Sequence, residues 1–249
     1  MATQKSIFEE LKPFANMVID QGRGVTISDL AFSSAEDFYS TGAIALNALN
    51  LTAGSTVKLF EANIGDNGGQ GFSNVSLTVG ETNNKNGNRQ PSNNVYIATH
   101  FGFQVYAVTS VDSLNAVPVN NPNTMYKIAA NTSWSLTVGD GIKRTLGTVL
   151  DYPAGSGIDT ALALQGTDTV GNQLTAFSNN GWVGCQKRKL PIPIVFPPNI
   201  SVEIELKTGA QQTLEDNAIK PAAFGGVAFT GGAICYKGVF SGFRMTLPA

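Results

Sequence analysis

The sequence predicts an all-β protein built as a sandwich or barrel, and three observations lead to that fold class. From Gly24 onward, apolar and polar residues alternate in short runs, which is the period of a strand with one buried face. Clusters of Gly, Asn, Pro and Asp separate these runs, as turns do. Charged residues make up only 14% of the 249 residues, while Gly numbers 27 and Pro 11, a composition that suits strands and turns better than helices.

Eleven segments of the chain are candidate strands. The alternation is clearest at 133–138, where Trp134, Leu136 and Val138 share one face. Two segments exceed the usual strand length and predict a tall sandwich. Two polar connections, 81–94 and 111–123, are long enough that we expect them to be functional or to cover something. The candidate strands are 25–31, 43–49, 56–62, 74–79, 95–109, 133–138, 144–150, 189–196, 201–207, 226–229 and 233–247.

Residues 1–23 are expected to form an amphipathic arm, and residues 24–249 the β domain. The arm contains the one convincing helical pattern, and Ser6 with Glu9 matches a capping box. Pro13 either kinks this helix or begins a second short one. The arm either packs on its own domain, clamps a neighbouring subunit or faces an interior layer. Its apolar face is formed by Ile7, Phe8, Leu11, Phe14, Ala15 and Val18.

Charge and hydropathy exclude several classes of protein. The formal net charge is −2, so we expect no affinity based on neutralising phosphates. The first ten residues carry charges where a signal peptide needs an apolar core, and no apolar stretch approaches a membrane span, so we expect a chain made in the cytosol that does not cross a membrane. Cys185 and Cys235 belong to no CxxC pair and are expected to be two buried thiols.

The residues offer little catalytic chemistry, and we predict no catalytic, cofactor-binding or metal site. His100 is the single histidine and lies in a strand-like run, where a structural role is expected. The loop that begins at Asp66 has Leu77 where an EF-hand needs its bidentate Glu. Glu203 and Glu205 alternate with apolar residues, as on a solvated strand face. The basic triplet 187–189 is expected to guard a strand end or to contact an acidic neighbour or lipid head group.

The segment 190–206, Leu-Pro-Ile-Pro-Ile-Val-Phe-Pro-Pro-Asn-Ile-Ser-Val-Glu-Ile-Glu-Leu, places four prolines in its first half and then continues into an alternating strand. Because proline cannot donate to a ladder, this piece is an edge, a kink or a strand that changes sheets. It resembles the jelly-roll major capsid proteins of tailless icosahedral bacteriophages. The motifs at 61–68, 76–84, 129–140 and 151–158, the long strand at 95–105 and the closing strand at 233–247 fit the same pattern in order.

This resemblance implies a non-enzymatic viral structural protein that assembles through lateral contacts into trimers or pseudo-hexameric capsomers and then into an icosahedral shell. It places the protein in the virion beside other capsid proteins, without sequence-specific nucleic acid; the arm would contact neighbours or an internal membrane. Eleven candidate strands favour a single jelly roll with additional strands over a double roll.

Two other functions remain open. The first is a jelly-roll carbohydrate- or receptor-binding module of a phage fibre or spike, with Trp182, Tyr152 and Tyr96 as candidate contacts. The second is a β-sandwich glycan hydrolase that uses Glu203 and Glu205 as its carboxylate pair.

Overall fold

The computed structural model describes residues 31–47, 50–85, 94–116, 122–139, 141–152, 154, 164–167, 173–176, 187–213 and 232–246. The arm 1–23 and the candidate strand 226–229 lie outside these residues, as does all of the candidate strand 25–31 except Ala31.

The described residues form an all-β sandwich of antiparallel strands, as the sequence predicts. The strands are β1 (Ala31–Ala45), β2 (Asn50–Leu51), β3 (Thr56–Leu59), β4 (Asn67–Gly69), β5 (Phe72–Ser76), β6 (Asn94–Ser110), β7 (Ser113–Ala116), β8 (Thr132–Val138), β9 (Arg144–Thr148), β10 (Leu164–Thr167), β11 (Gln173–Ala176), β12 (Arg188–Phe196), β13 (Val202–Thr208), β14 (Gln212–Thr213) and β15 (Ala233–Thr246). One α-helix, α1 (Pro122–Asn131), precedes β8, and a 3-10 helix, Val149–Asp151, follows β9. Among the described residues, no helix is long and apolar enough to span a membrane.

Eight strands make up two four-stranded layers. The long sheet has the order β1-β15-β6-β12, with β7 paired to the far end of β6, and the short sheet has the order β3-β13-β8-β9. In chain order, the first of the eight strands pairs with the last, the second with the seventh, the third with the sixth and the fourth with the fifth. The pairings β15–β6 and β13–β8 then complete each sheet.

The core lies between the two sheets and is rich in aromatic rings. Phe101 of the long sheet packs against Trp134 of the short sheet with ring centroids 4.7 Å apart, and Tyr96 stacks on Phe196 at 5.9 Å. Such pairs add directional packing to the apolar area that the sandwich buries. The largest fully buried side chains include Trp134, Tyr96, Tyr236, Phe60, Phe101, Phe103, Phe196 and Phe240.

Seven of the eight strands of the two four-stranded layers lie where the sequence places them, whereas the short strands β2, β4, β7, β10, β11 and β14 were not predicted. The candidate strands 95–109, 133–138, 201–207 and 233–247 correspond to β6, β8, β13 and β15 within one residue at either end. The prediction for 43–49 is wrong, because β1 runs from Ala31 to Ala45 and overlaps only the first three residues of that segment. Alternation of apolar and polar residues is hard to see in β1, because the polar residues Ser40 and Thr41 are fully buried, whereas Asp37 is exposed. The prediction for 74–79 is shifted, because β5 spans Phe72–Ser76.

The expectation that helix is confined to the first twenty residues is also wrong. α1 falls at the end of the polar connection 111–123, with Pro122 as its first residue, a position where the missing N–H costs nothing. Ile128 and Ala129 are buried, while Tyr126 and Lys127 are exposed. In the sequence, Met125, Ile128 and Ala129 follow the three- and four-residue spacing of a helix. Over only ten residues, however, such periodicity does not distinguish a helix from other structure.

Candidate functional surfaces

The outer face of the long sheet carries a row of polar side chains that crosses all four strands. In register, Asp37 of β1 lies opposite Ser241 of β15, Ser241 opposite His100 of β6, and His100 opposite Lys189 of β12. Ser241 and His100 lie at a β-bulge where Thr99 has no partner on β15. We call Asp37, Ser241, Thr99 and His100, together with Lys187 just before β12, the polar row; the exposed Lys189 is not part of it.

Lys187 connects the two edges of the sheet. Its Nζ donates to Asp37 Oδ2 at 2.6 Å and to Ser241 Oγ at 2.5 Å, and the Ser241 hydroxyl donates in turn to Asp37 Oδ1. Arg188 is in register with Phe101, so Lys187 enters the sheet beside Gly102. Because Gly102 has no side chain, the lysine can cross β6 to reach β15 and β1.

The polar row brings together residue types that nucleophilic catalysis uses, but in donor and acceptor roles that do not activate Ser241. The Lys187 ammonium donates to both partners, so in this geometry it does not accept the serine proton. His100 Nδ1 lies 3.0 Å from the Thr99 hydroxyl, and that hydroxyl donates to the Ser241 carbonyl at 3.2 Å. The polar row therefore connects the strands of the long sheet by hydrogen bonds between their side chains.

The basic triplet is divided among three environments. Lys187 belongs to the polar row. The Arg188 guanidinium lies over the Tyr152 ring, 4.7 Å from its centroid, and donates to the Asp151 carbonyl at 3.2 Å. Lys189 is exposed. Two of the three cations thus contact groups of this same chain.

Residues 60–84, which we call the covering segment, leave β3 and pass over the edge and outer face of the long sheet. Asn83 mimics a neighbouring strand along β1: its side chain accepts from Tyr39 N at 2.9 Å and donates to the Asp37 carbonyl at 2.6 Å. Further along the same edge, Ala43 N donates to the Gln70 carbonyl at 2.8 Å. The described part of the connection 81–94 therefore covers a sheet edge, one of the two roles predicted for it.

A buried hydrogen-bond network fixes the covering segment to β1. Ser40 Oγ donates to Gln70 Oε1 at 2.7 Å and accepts from Phe60 N at 3.0 Å, while Gln70 Nε2 donates to the Thr41 carbonyl at 3.0 Å. Phe60 has φ 72° and Gln70 φ 50°, in the left-handed region that costs free energy for side chains of this size. The network compensates for this strain at the point where the chain changes layers.

Several titratable groups lie beneath or beside the covering segment. Burial raises the pKa of the Cys235 thiol to about 12, and burial also raises the pKa of the Tyr106 phenol, which hydrogen-bonds to Cys235 and Thr41. Burial lowers the pKa of Lys237, against the opposing charges of Glu81 and Asp37. Cys235 is a buried thiol, as predicted, whereas Cys185 lies outside the described residues.

The outer face of the short sheet is a ladder of ion pairs that includes the two candidate carboxylates. Glu203 pairs with Lys58 at 3.0 Å, and Glu205 pairs with Lys143 at 2.5 Å. Both carboxylates lie on β13 between neighbours that neutralise them. This is the arrangement of a solvated strand face, and neither carboxylate faces the other across a cleft, as glycoside hydrolysis requires.

The candidate carbohydrate contacts are not brought together. Tyr96 is fully buried in the core, where its hydroxyl donates to the Phe240 carbonyl at 3.0 Å, so it is not available to a ligand. Tyr152 is half-buried beneath Arg188, and Trp182 lies outside the described residues. The Asp66 loop is likewise closed on itself, because Asp66 Oδ2 accepts from Asn63 N at 2.7 Å. The described part of the chain contains no group of three His, Cys, Asp or Glu residues that could hold a metal ion.

Exposed apolar side chains are scattered over the described surface. Ile142 is 84% exposed in the loop before β9, and Ile192 is 70% exposed on β12. Ile192 projects from a bulge, since Lys189 pairs with His100 and Ile194 with Ala98, which leaves 190–193 opposite only Thr99.

Comparison with protein families, curated proteins and solved structures found no match to this chain.

Proposed function

We propose that this chain is a viral shell protein with a single jelly-roll fold, a major capsid protein that assembles through lateral contacts into capsomers and an icosahedral particle. The strand order is the observation that carries the proposal. Pairing of the first strand with the eighth, the second with the seventh, the third with the sixth and the fourth with the fifth is the order produced when a long antiparallel ribbon folds over into two Greek keys.

The same observation favours one roll over two. Among the described residues, eight strands make up the two four-stranded layers, and the other strands form two-stranded pairs or lie at the end of β6. They are additions to a single roll, as the strand count in the sequence suggested.

The edges of both sheets are protected against pairing with strands of another molecule. This supports a subunit whose contacts are made by side chains and not by strand addition. The covering segment occupies the edge of β1, and Pro191 and Pro193 interrupt β12. The short edge strand β9 begins with Arg144, directly after Lys143. These features block uncontrolled strand addition between molecules. A shell protein must avoid such addition, because its subunits lie at high local concentration. The low fraction of charged residues agrees with large lateral contacts.

Under this proposal the protein resides in the virion, its principal partners are copies of itself in trimers or pseudo-hexameric capsomers together with other capsid proteins, and its role is structural.

Light scattering followed by electron microscopy of the same fraction of native protein tests the proposal. Particles in the megadalton range with regular capsomers are the expected result. A stable monomer or an isolated trimer under every condition contradicts it, and a glycan array then tests the carbohydrate-binding alternative.

A further inference from the structure

The outer face of the long sheet bears an apolar patch between the polar row and the end of the sheet where Ala31 pairs with Thr246. Tyr96 and Phe196 point into the core, so their neighbours Val95, Ile97 and Val195 point to the outer face. Ile97 lies opposite Phe243 and Val95 opposite Met245 on β15, which places these two side chains on the same face. The patch consists of Val95, Ile97, Val195, Phe243 and Met245.

This patch belongs to neither of the apolar clusters that the described residues form. One cluster fills the space between the sheets. The other lies between the covering segment and the end of the long sheet where Ala45 pairs with Ala233. Val95 is nevertheless 1% exposed, Ile97 0% and Met245 4%. Side chains on the outer face of a sheet reach such values only beneath a further layer.

We propose that the apolar face of residues 7–18 packs on this patch of its own subunit as an amphipathic helix. The point of chain entry carries the assignment. Ala31, the first described residue, pairs with Thr246 next to Met245, so the chain that precedes β1 arrives at this end of the sheet. Residues 19–30 reach up to about 40 Å when extended, which is enough to turn the segment back onto the patch.

The patch is long enough for about two turns of the helix. A helix of twelve residues is about 18 Å long and about 10 Å wide. The row Val195, Ile97 and Phe243 crosses three strands, or about 10 Å at the usual strand spacing, and Val95 and Met245 add about 7 Å along the strands.

Three other segments outside the described residues fit this site less well. Residues 214–231 lead into Ala233, at the opposite end of the sheet from Thr246. Residues 86–93 enter at Asn94, close to the patch, but contain no large apolar side chain. Residues 177–186 lead to Lys187, which enters beside Gly102 on the far side of the polar row.

Cysteine cross-linking tests this inference, which does not depend on shell assembly. In a Cys185→Ser, Cys235→Ala background of the full chain, Leu11→Cys is combined with Phe243→Cys or, separately, with Val195→Cys on the edge strand. The matched controls place the first cysteine at Asn16→Cys, on the opposite face of the predicted helix. Circular dichroism and thermal unfolding identify variants that retain the fold, so that either pair alone suffices for the test.

A short bismaleimide should link the Leu11→Cys pairs within one chain, with a yield several-fold above the Asn16→Cys controls and independent of protein concentration. Equal yields from both faces overturn the proposal. Cross-links only between chains, falling on dilution, also overturn it, because they would place the segment on a neighbouring subunit.

Discussion

Lys187 Nζ lies 2.6 Å from Asp37 Oδ2, although 150 positions separate the two residues along the chain. The aspartate is on the edge strand β1, and the lysine immediately precedes the opposite edge strand β12, so the contact crosses the full width of the long sheet. The hydroxyl of Ser241, between them, bonds to both.

Replacing Lys187 with Met should lower the free energy of unfolding by about 0.5–1 kcal/mol, since the pair is partly exposed and water screens it. The loss should shrink at high salt. Urea unfolding at two salt concentrations measures it, and a double-mutant cycle with Asp37→Asn isolates the coupling. The control, Lys189→Met, changes an exposed neighbour and should have little effect. Equal losses for the two lysines would contradict a specific role for Lys187.

Ser40→Ala should destabilise the protein by about 1–3 kcal/mol, because Gln70 Oε1 and the Phe60 N–H then lose a buried partner. Ser73→Ala provides the control, since this serine is exposed on the same covering segment. Chemical unfolding of both variants measures the difference, and a cost of Ser40→Ala no greater than that of Ser73→Ala would show that the network does not hold the segment.

Gly71→Ala and Gly54→Ala form a matched pair. Both glycines have positive φ, 85° and 75°, so each alanine pays about 1 kcal/mol for the left-handed conformation. A Cβ at Gly71 would lie 1.8 Å from the Ala43 carbonyl oxygen, whereas nothing lies within 4 Å at Gly54. Gly71→Ala should therefore destabilise far more than Gly54→Ala in thermal unfolding. Similar melting temperatures would mean that the covering segment moves aside at little cost.

Because burial raises the pKa of the Cys235 thiol, we expect the free energy of unfolding to fall at alkaline pH. An unfolded thiol ionises near pH 8.5, whereas the native pKa is about 12. Below pH 8.5 both states keep the proton and the thiol contributes no pH dependence. Between these values only the unfolded state releases it, so stability falls as pH rises, by up to about 1.4 kcal/mol per pH unit.

Unfolding free energies at several pH values from 8 to 11 measure this effect. Cys235→Ala should decline less steeply than the wild type, while the control Cys185→Ser should retain the contribution of Cys235. Parallel curves for wild type and Cys235→Ala would rule out the buried thiol as the source.

The shell proposal predicts that exposed apolar side chains serve lateral contacts. Ile192→Asp and Ile142→Asp should leave thermal unfolding nearly unchanged, since both side chains are mostly exposed, and should reduce particle yield. Thr145→Asp is the control on the exposed strand β9. Analytical ultracentrifugation measures the assembled fraction. Normal particles from both isoleucine variants would remove these positions from the interface.

The sequence by itself determined the all-β class and the position of most long strands, because alternation of burial is a local property with a period of two residues. Trp134, Leu136, Val202 and Ile204 could be assigned to an inner face without knowing their partners. It missed β1 because its buried Ser40 and Thr41 bond to a segment that only the fold brings near, and it missed α1 because ten residues give a weak period.

Only the tertiary structure decided which strands are neighbours and what the polar residues contact. The sequence singled out Lys187, His100 and the Glu203–Glu205 pair, but their surroundings depend on partners at distances of up to 150 positions along the chain, such as Asp37 and Lys58. Strand register sets these contacts, and register is fixed by how the whole ribbon closes, which no local pattern records.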